Sequence, residues 1–193
     1  MGLLDLRLRE FLEEIAGDSR TPGGGSAAAL VTAIAAGLLA KVARSSRDSW
    51  PEAAGIAAQA ESLRDRATPL AEVAAAQYEA ALRAREESDG EPGERRDFTL
   101  GRAYAKAAEP PLEIARAATD VAELAVVVAE SGEPALRADA IVAALLASAA
   151  ASAAAELVAV NLTASAGDPR VIEAAKLTED AARAAETARA ARE

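Results

Sequence analysis

Apolar residues recur along most of this chain at the three- and four-residue spacing of a helix face, with no segment of sustained period-two alternation. Leu4, Leu8, Phe11, Leu12 and Ile15 define an amphipathic first helix over residues 3–16, which Gly17 closes. Residues 18–26 read as a loop containing Pro22 and three successive glycines, with Ser26 as the N-cap of a long apolar helix reaching Ser46. A break at Ser49-Trp50-Pro51 precedes a helical pattern over 52–87, which Pro69 is expected to kink or interrupt. After a second break over 88–94, a helix over 95–130 is expected to bend or split at Pro110-Pro111 and to end in the turn Ser131-Gly132-Glu133-Pro134. A second Ala-rich central helix is predicted over 137–164. Gly167-Asp168-Pro169 then starts a charged outer helix, with Glu179 and Arg183 spaced to pair one turn apart.

Composition sharpens this picture. Hydrophobic residues make up 51% of the 193 positions but aromatics only 3%, so the apolar content is largely alanine, the strongest helix former. The expected fold is all-α: one domain over residues 1–193, an antiparallel bundle of long Ala-rich helices. Small side chains let backbones approach closely but bury little area each, so a homodimer is expected.

The formal net charge of -10 argues against generic binding to nucleic acid or to an anionic membrane. The chain has no cysteine and no histidine, which removes thiolate catalysis, zinc-thiolate sites and the commonest general base. Catalysis would fall to carboxylates, Lys, Tyr, hydroxyls or backbone dipoles. The opening residues lack the basic start and apolar stretch of a signal peptide. The two least charged runs, 26–40 and 140–155, fall short of the roughly 20 apolar residues of a membrane span. A cytoplasmic protein without a membrane partner is expected.

Thr21-Pro22-Gly23-Gly24-Gly25-Ser26 stands out because it opens a helix, and the first N–H groups of any helix lack internal partners. Such groups can hold an anion, and glycines let a ligand approach them. The spacing matches neither GxGxxG nor a P-loop, and a structural turn explains it as well.

The surrounding residues add a resemblance. Phe11 to Ala16 followed by Thr21 to Leu30 closely resembles the opening of the cyclodeaminase/cyclohydrolase family, which includes the C-terminal domain of formiminotransferase-cyclodeaminase and bacterial methenyltetrahydrofolate cyclohydrolases. Residues 108–115 with Pro111-Leu112, the Gly132 turn leading to Asp139, and Val160-Asn161-Leu162 resemble later landmarks of that family in order and spacing. The resemblance implies an all-helical dimer that binds a reduced folate in a cleft lined by the glycine loop. It needs no cofactor beyond that tetrahydrofolate substrate. Family members close 5-formiminotetrahydrofolate to the 5,10-methenyl form with loss of ammonia, or hydrolyse the methenyl form to 10-formyltetrahydrofolate.

Carried over on this resemblance, Asp139 is the candidate catalytic carboxylate, and Gly23, Gly24, Gly25, Ser26, Lys41, Arg44 and Asn161 are candidate substrate-binding residues. Each has a plainer reading as well. Asp139 suits a helix start for electrostatic reasons, Asn161 can satisfy backbone groups, Lys41 and Arg44 suit solvated helix ends, and Tyr78 and Tyr104 suit a core. The chain departs from the family pattern at residues 47–50, at Ala74 where an acid is usual, at 87–89, and at Glu133 and Ala138. These departures leave room for a relative that keeps the fold as a dimerisation or small-molecule-binding module without the catalysis.

Overall fold

The structure, a computed structural model, describes residues 2–163 and 167–191. All regular structure among them is helical: α1 (Leu8–Ala16), α2 (Gly24–Ser45), α3 (Ala53–Ala67), α4 (Leu70–Glu87), α5 (Gly93–Ala107), α6 (Glu109–Ser131), α7 (Arg137–Asn161) and α8 (Pro169–Ala190). Short 3-10 turns precede α1 and α7.

Prolines set several of these boundaries. Pro69 separates α3 from α4, and the break between α5 and α6 falls at Ala108, just before Pro110-Pro111. In α6 both prolines sit in the first turn, where the missing N–H would have had no helical partner. The expected first helix is instead a 3-10 turn at Leu3–Asp5 followed by α1, which buries none of its residues and leaves Leu8 73% exposed. The expected end of the second central helix at residue 164 lies outside the described residues, and α7 runs to Asn161. The charged last helix is an outer helix with one inward face, on which Ala174, Ala181, Ala184, Ala185 and Ala188 are buried. Arg183 pairs with Asp180, and not with Glu179.

The core is built on α2, α6 and α7. Its largest fully buried side chains are Leu39, Ile114, Val42, Val121, Val128 and Val158, and most of the remainder is alanine. Backbones therefore lie close. A Cβ on Gly25 would sit 2.9 Å from the Ala74 Cβ of α4, and one on Gly132, at the end of α6, would sit 3.0 Å from Cγ1 of Val42 in α2. Buried hydroxyls bridge elements: Ser26 Oγ donates to the Ala71 carbonyl of α4 at 2.7 Å, and Ser46 Oγ accepts from Glu133 N at 2.7 Å.

α2 and α7 cross the domain in opposite directions, since Gly24 lies beside Leu157 at one end and Lys41 reaches Asp139 at the other. Both helices extend beyond the uncharged runs of the sequence, and by length and hydropathy alone each could cross a bilayer. The protein covers them unequally: 61% of the apolar window of α2 is buried, but only 44% of that on α7. The uncovered part of α7 is an apolar stripe, with Ala138, Val142, Leu145, Ala149, Ala153 and Val160 exposed every three or four residues and Glu156 among them. Ile34 of the neighbouring α2 is also 57% exposed.

Candidate functional site

The glycine run does more than precede a helix. α2 begins at Gly24, two residues before the expected cap, and Gly23 is the N-cap in an extended conformation with no side chain to offer. The first cross-turn bond runs from Ala27 N to Gly23 O, so the N–H groups of Gly24, Gly25 and Ser26 precede the helical ladder. These uncapped donors, at the positive end of a 22-residue helix, open into a cleft of about 240 Å³.

Four elements wall the cleft. α4 contributes Ala74, Ala75 and Tyr78, the α5–α6 junction contributes Ala107 and Pro111, and the end of α7 contributes Leu157, Val160 and Asn161. Apolar walls with a few convergent polar groups are the usual make-up of a small-molecule site. Arg20 and Thr21 form the rim: Arg20 donates to Glu86 at 2.8 Å, and Thr21 Oγ1 donates to Glu79 at 3.3 Å. Tyr78 is 39% exposed on the cleft wall and is not a core residue. Its cleft-facing role follows from its place one turn after Ala74 on a helix that packs against the glycines, a relation that sequence spacing alone does not carry.

The structure divides the sequence-derived site residues into two groups. Gly23, Gly24, Gly25, Ser26 and Asn161 line the cleft together. Within this group the Ser26 side chain is a buried tie to α4, and Asn161 spends an amide N–H on the Ala107 carbonyl at 3.3 Å. Asp139, Lys41 and Arg44 gather at the opposite end of the two central helices, about 25 Å from Gly24 to Lys41 and about 33 Å from Asn161 to Asp139 at 1.5 Å per helical residue. There Lys41 Nζ bonds Asp139 at 2.7 Å and Arg44 pairs with Glu61. Helix direction is the reason: α2 carries the loop at its start and the cations near its end, while α7 carries Asp139 at its start and Asn161 at its end. None of the described residues lining the cleft is acidic.

The shifted ionisable groups serve architecture. The side chain and backbone N–H of Arg170 hold the Asp168 carboxylate down to about 2, and together they cap α8. Arg170 also donates to the Ala105 carbonyl at 2.9 Å, which ties α8 to α5. Arg116 of α6 lowers Glu173 of α8 by a two-pronged hydrogen bond, at 2.7 and 2.8 Å.

The sequence model of the formiminotransferase-cyclodeaminase family matches residues 7–181. The fold is similar to a crystal structure of formiminotetrahydrofolate cyclodeaminase from Thermotoga maritima. The TM-score is 0.86 and the identity 23%, over 98% of this chain and 96% of that one. No curated protein sequence matches.

Proposed function

The chain belongs to the formiminotransferase-cyclodeaminase family, and on that premise we propose that it is a folate one-carbon enzyme working at the glycine-loop cleft. Its reaction is closure of 5-formiminotetrahydrofolate with loss of ammonia or hydrolysis of 5,10-methenyltetrahydrofolate. The observation that carries this reading is the uncapped start of α2, three free N–H groups facing a cleft with apolar walls. Flat walls of alanine, proline and leucine suit a pterin ring. The α2 dipole suits its carbonyl and the negative charge that builds on an oxygen when water adds to the methenyl carbon. Both reactions pass through a tetrahedral carbon between two folate nitrogens. In one, N10 attacks and ammonia leaves. In the other, water adds, the bond to N5 breaks and a proton is released. Either requires a group that carries protons.

In this reading the protein is a homodimer, built as an antiparallel bundle and assembled through the apolar stripe of α7. A stripe of this length on a helix that is otherwise core is what a partner would cover. The lack of an acid among the lining residues favours a second reading, a folate-binding protein without turnover. One assay separates them: purified protein is mixed with 5,10-methenyltetrahydrofolate and loss of its chromophore is followed against the spontaneous rate. The same protein is offered 5-formiminotetrahydrofolate and ammonia release is measured. Turnover of either supports the enzyme, and tight binding without turnover of either supports the binding protein.

A further inference from the structure

The cleft holds hydrogen-bond donors and no carboxylate, while a part-exposed carboxylate stands with a lysine at the far end of the same two helices. The stripe on α7 connects the two ends. It runs from Ala138, beside Asp139, to Val160, which lines the cleft and is 64% exposed. Its midpoint is Ala149, a small exposed residue that lets an identical helix cross closely.

We infer that two chains pair through this stripe about a two-fold axis near Ala149, so that each cleft is completed by Asp139 and Lys41 of the partner. The inference rests on the folate reading for its chemistry but not for its geometry. A two-fold axis places every residue of α7 opposite the one equally far on the other side of Ala149. Val160 then faces the partner's Ala138, and the partner's Asp139 stands at the mouth of the cleft. Glu156, the charged residue on the stripe, comes level with the partner's Val142, within about one helical turn of the partner's Lys41. Lys41 is 59% exposed beyond its bond to Asp139, so it can meet that second carboxylate. The apolar parts of the stripe meet apolar parts, and its one charge meets an opposite charge. A second copy of this chain therefore fits the face, whereas an unrelated apolar partner would leave Glu156 buried without a cation.

In the completed site Asp139 supplies the carboxylate that the residues lining the cleft lack. In the hydrolysis its carboxylate takes a proton from water as the oxygen bonds the methenyl carbon, and returns it to N5 as the C–N5 bond breaks. The oxygen's remaining proton passes to solvent as the formyl C=O forms. Lys41 fixes the position of that carboxylate through their 2.7 Å hydrogen bond.

Because the chain has no cysteine, pairs of introduced thiols report the geometry directly. Ala149→Cys alone is expected to form a disulfide-linked dimer on mild oxidation. Ala138→Cys and Val160→Cys are expected to cross-link when co-expressed but not singly, since like positions lie about 33 Å apart at 1.5 Å per helical residue. Activity supplies a second arm. Asp139→Asn should lose about 100-fold or more in turnover, a normal loss for removal of a proton-carrying group, and Gly24→Val should lose a similar factor because its side chain blocks the cleft. Co-expressed, they should regain about a quarter of the parent's rate, because half of randomly paired dimers are mixed and each of those holds one intact site. Cross-linking in any other pattern, or a monomer, overturns the inference even if the protein turns over folate. Expected cross-linking in a protein inactive on both folates supports the pairing and removes only the folate reading. No recovery in the mixed dimer, or turnover lost in Glu79→Gln and kept in Asp139→Asn, places the proton carrier within one chain and overturns the shared site.

Discussion

The three residues of the glycine loop that matter most differ sharply in what they can tolerate. Gly24 is helical, not left-handed, and a Cβ there would meet only the Leu157 methyl groups, at 3.8 Å. Gly24→Val should therefore fold, with stability changed by no more than about 1 kcal/mol, while its side chain stands in the cleft before the free N–H groups. Gly25→Val should cost about 1–3 kcal/mol, because its Cβ would press on the Ala74 Cβ at 2.9 Å and force α2 and α4 apart. Ser26→Ala should lower stability by a similar amount, since it leaves the buried Ala71 carbonyl without its donor, and should leave folate binding unchanged. Thermal denaturation ranks all three. At this scale the sequence made the loop visible through its composition. It could not show that Ser26 spends its hydroxyl on α4, because that bond joins residues 45 apart along the chain. Asp139 and Lys41 were likewise visible as residue types, but their distance from the loop depends on the direction in which α7 runs back along α2.

Elements were legible where proline or glycine punctuates a strong periodicity. Pro69, Pro110 and Gly132 fall at the expected breaks, because a missing N–H or a close backbone contact acts locally. The two ends of the chain were less legible. Amphipathicity marks α1 as a helix but does not say whether its apolar side is covered, and the charged surface of α8 hides an alanine face that packs against α6 and α7. The start of α8 carries its own pH dependence. Asp168 has its carboxylate lowered from 3.8 to about 2, chiefly by the Arg170 side chain. A depressed carboxylate stabilises the folded state fully above its unfolded value and loses that contribution as pH falls through the folded one. Acid should therefore release α8 from α5 between about pH 4 and pH 2, and Asp168→Asn should remove this step. Helicity and amide exchange in α8, followed across that range in parent and variant, give the check. A step of equal size in both would assign it to other carboxylates.

Seen whole, the molecule has covered one of its two central helices and left the other half bare. That asymmetry could not be read from composition, because α2 and α7 have nearly the same hydropathy and differ in which neighbours their faces meet. Leu145→Glu places a charge in the middle of the bare stripe at a residue already 45% exposed. It should leave the fold intact and shift light scattering from dimer to monomer at low micromolar concentration. Dimers that persist in this variant would put the interface elsewhere. The glycine-started cleft as a folate site is tested most directly by calorimetric titration of a stable reduced folate, 5-formyltetrahydrofolate, into the parent protein and into Gly24→Val. One site per chain is expected in the parent, and binding at least about tenfold weaker, a loss of about 1.4 kcal/mol, in a variant with unchanged helicity. A parent that takes up no reduced folate, or a folded Gly24→Val that binds it equally well, would contradict a folate site there.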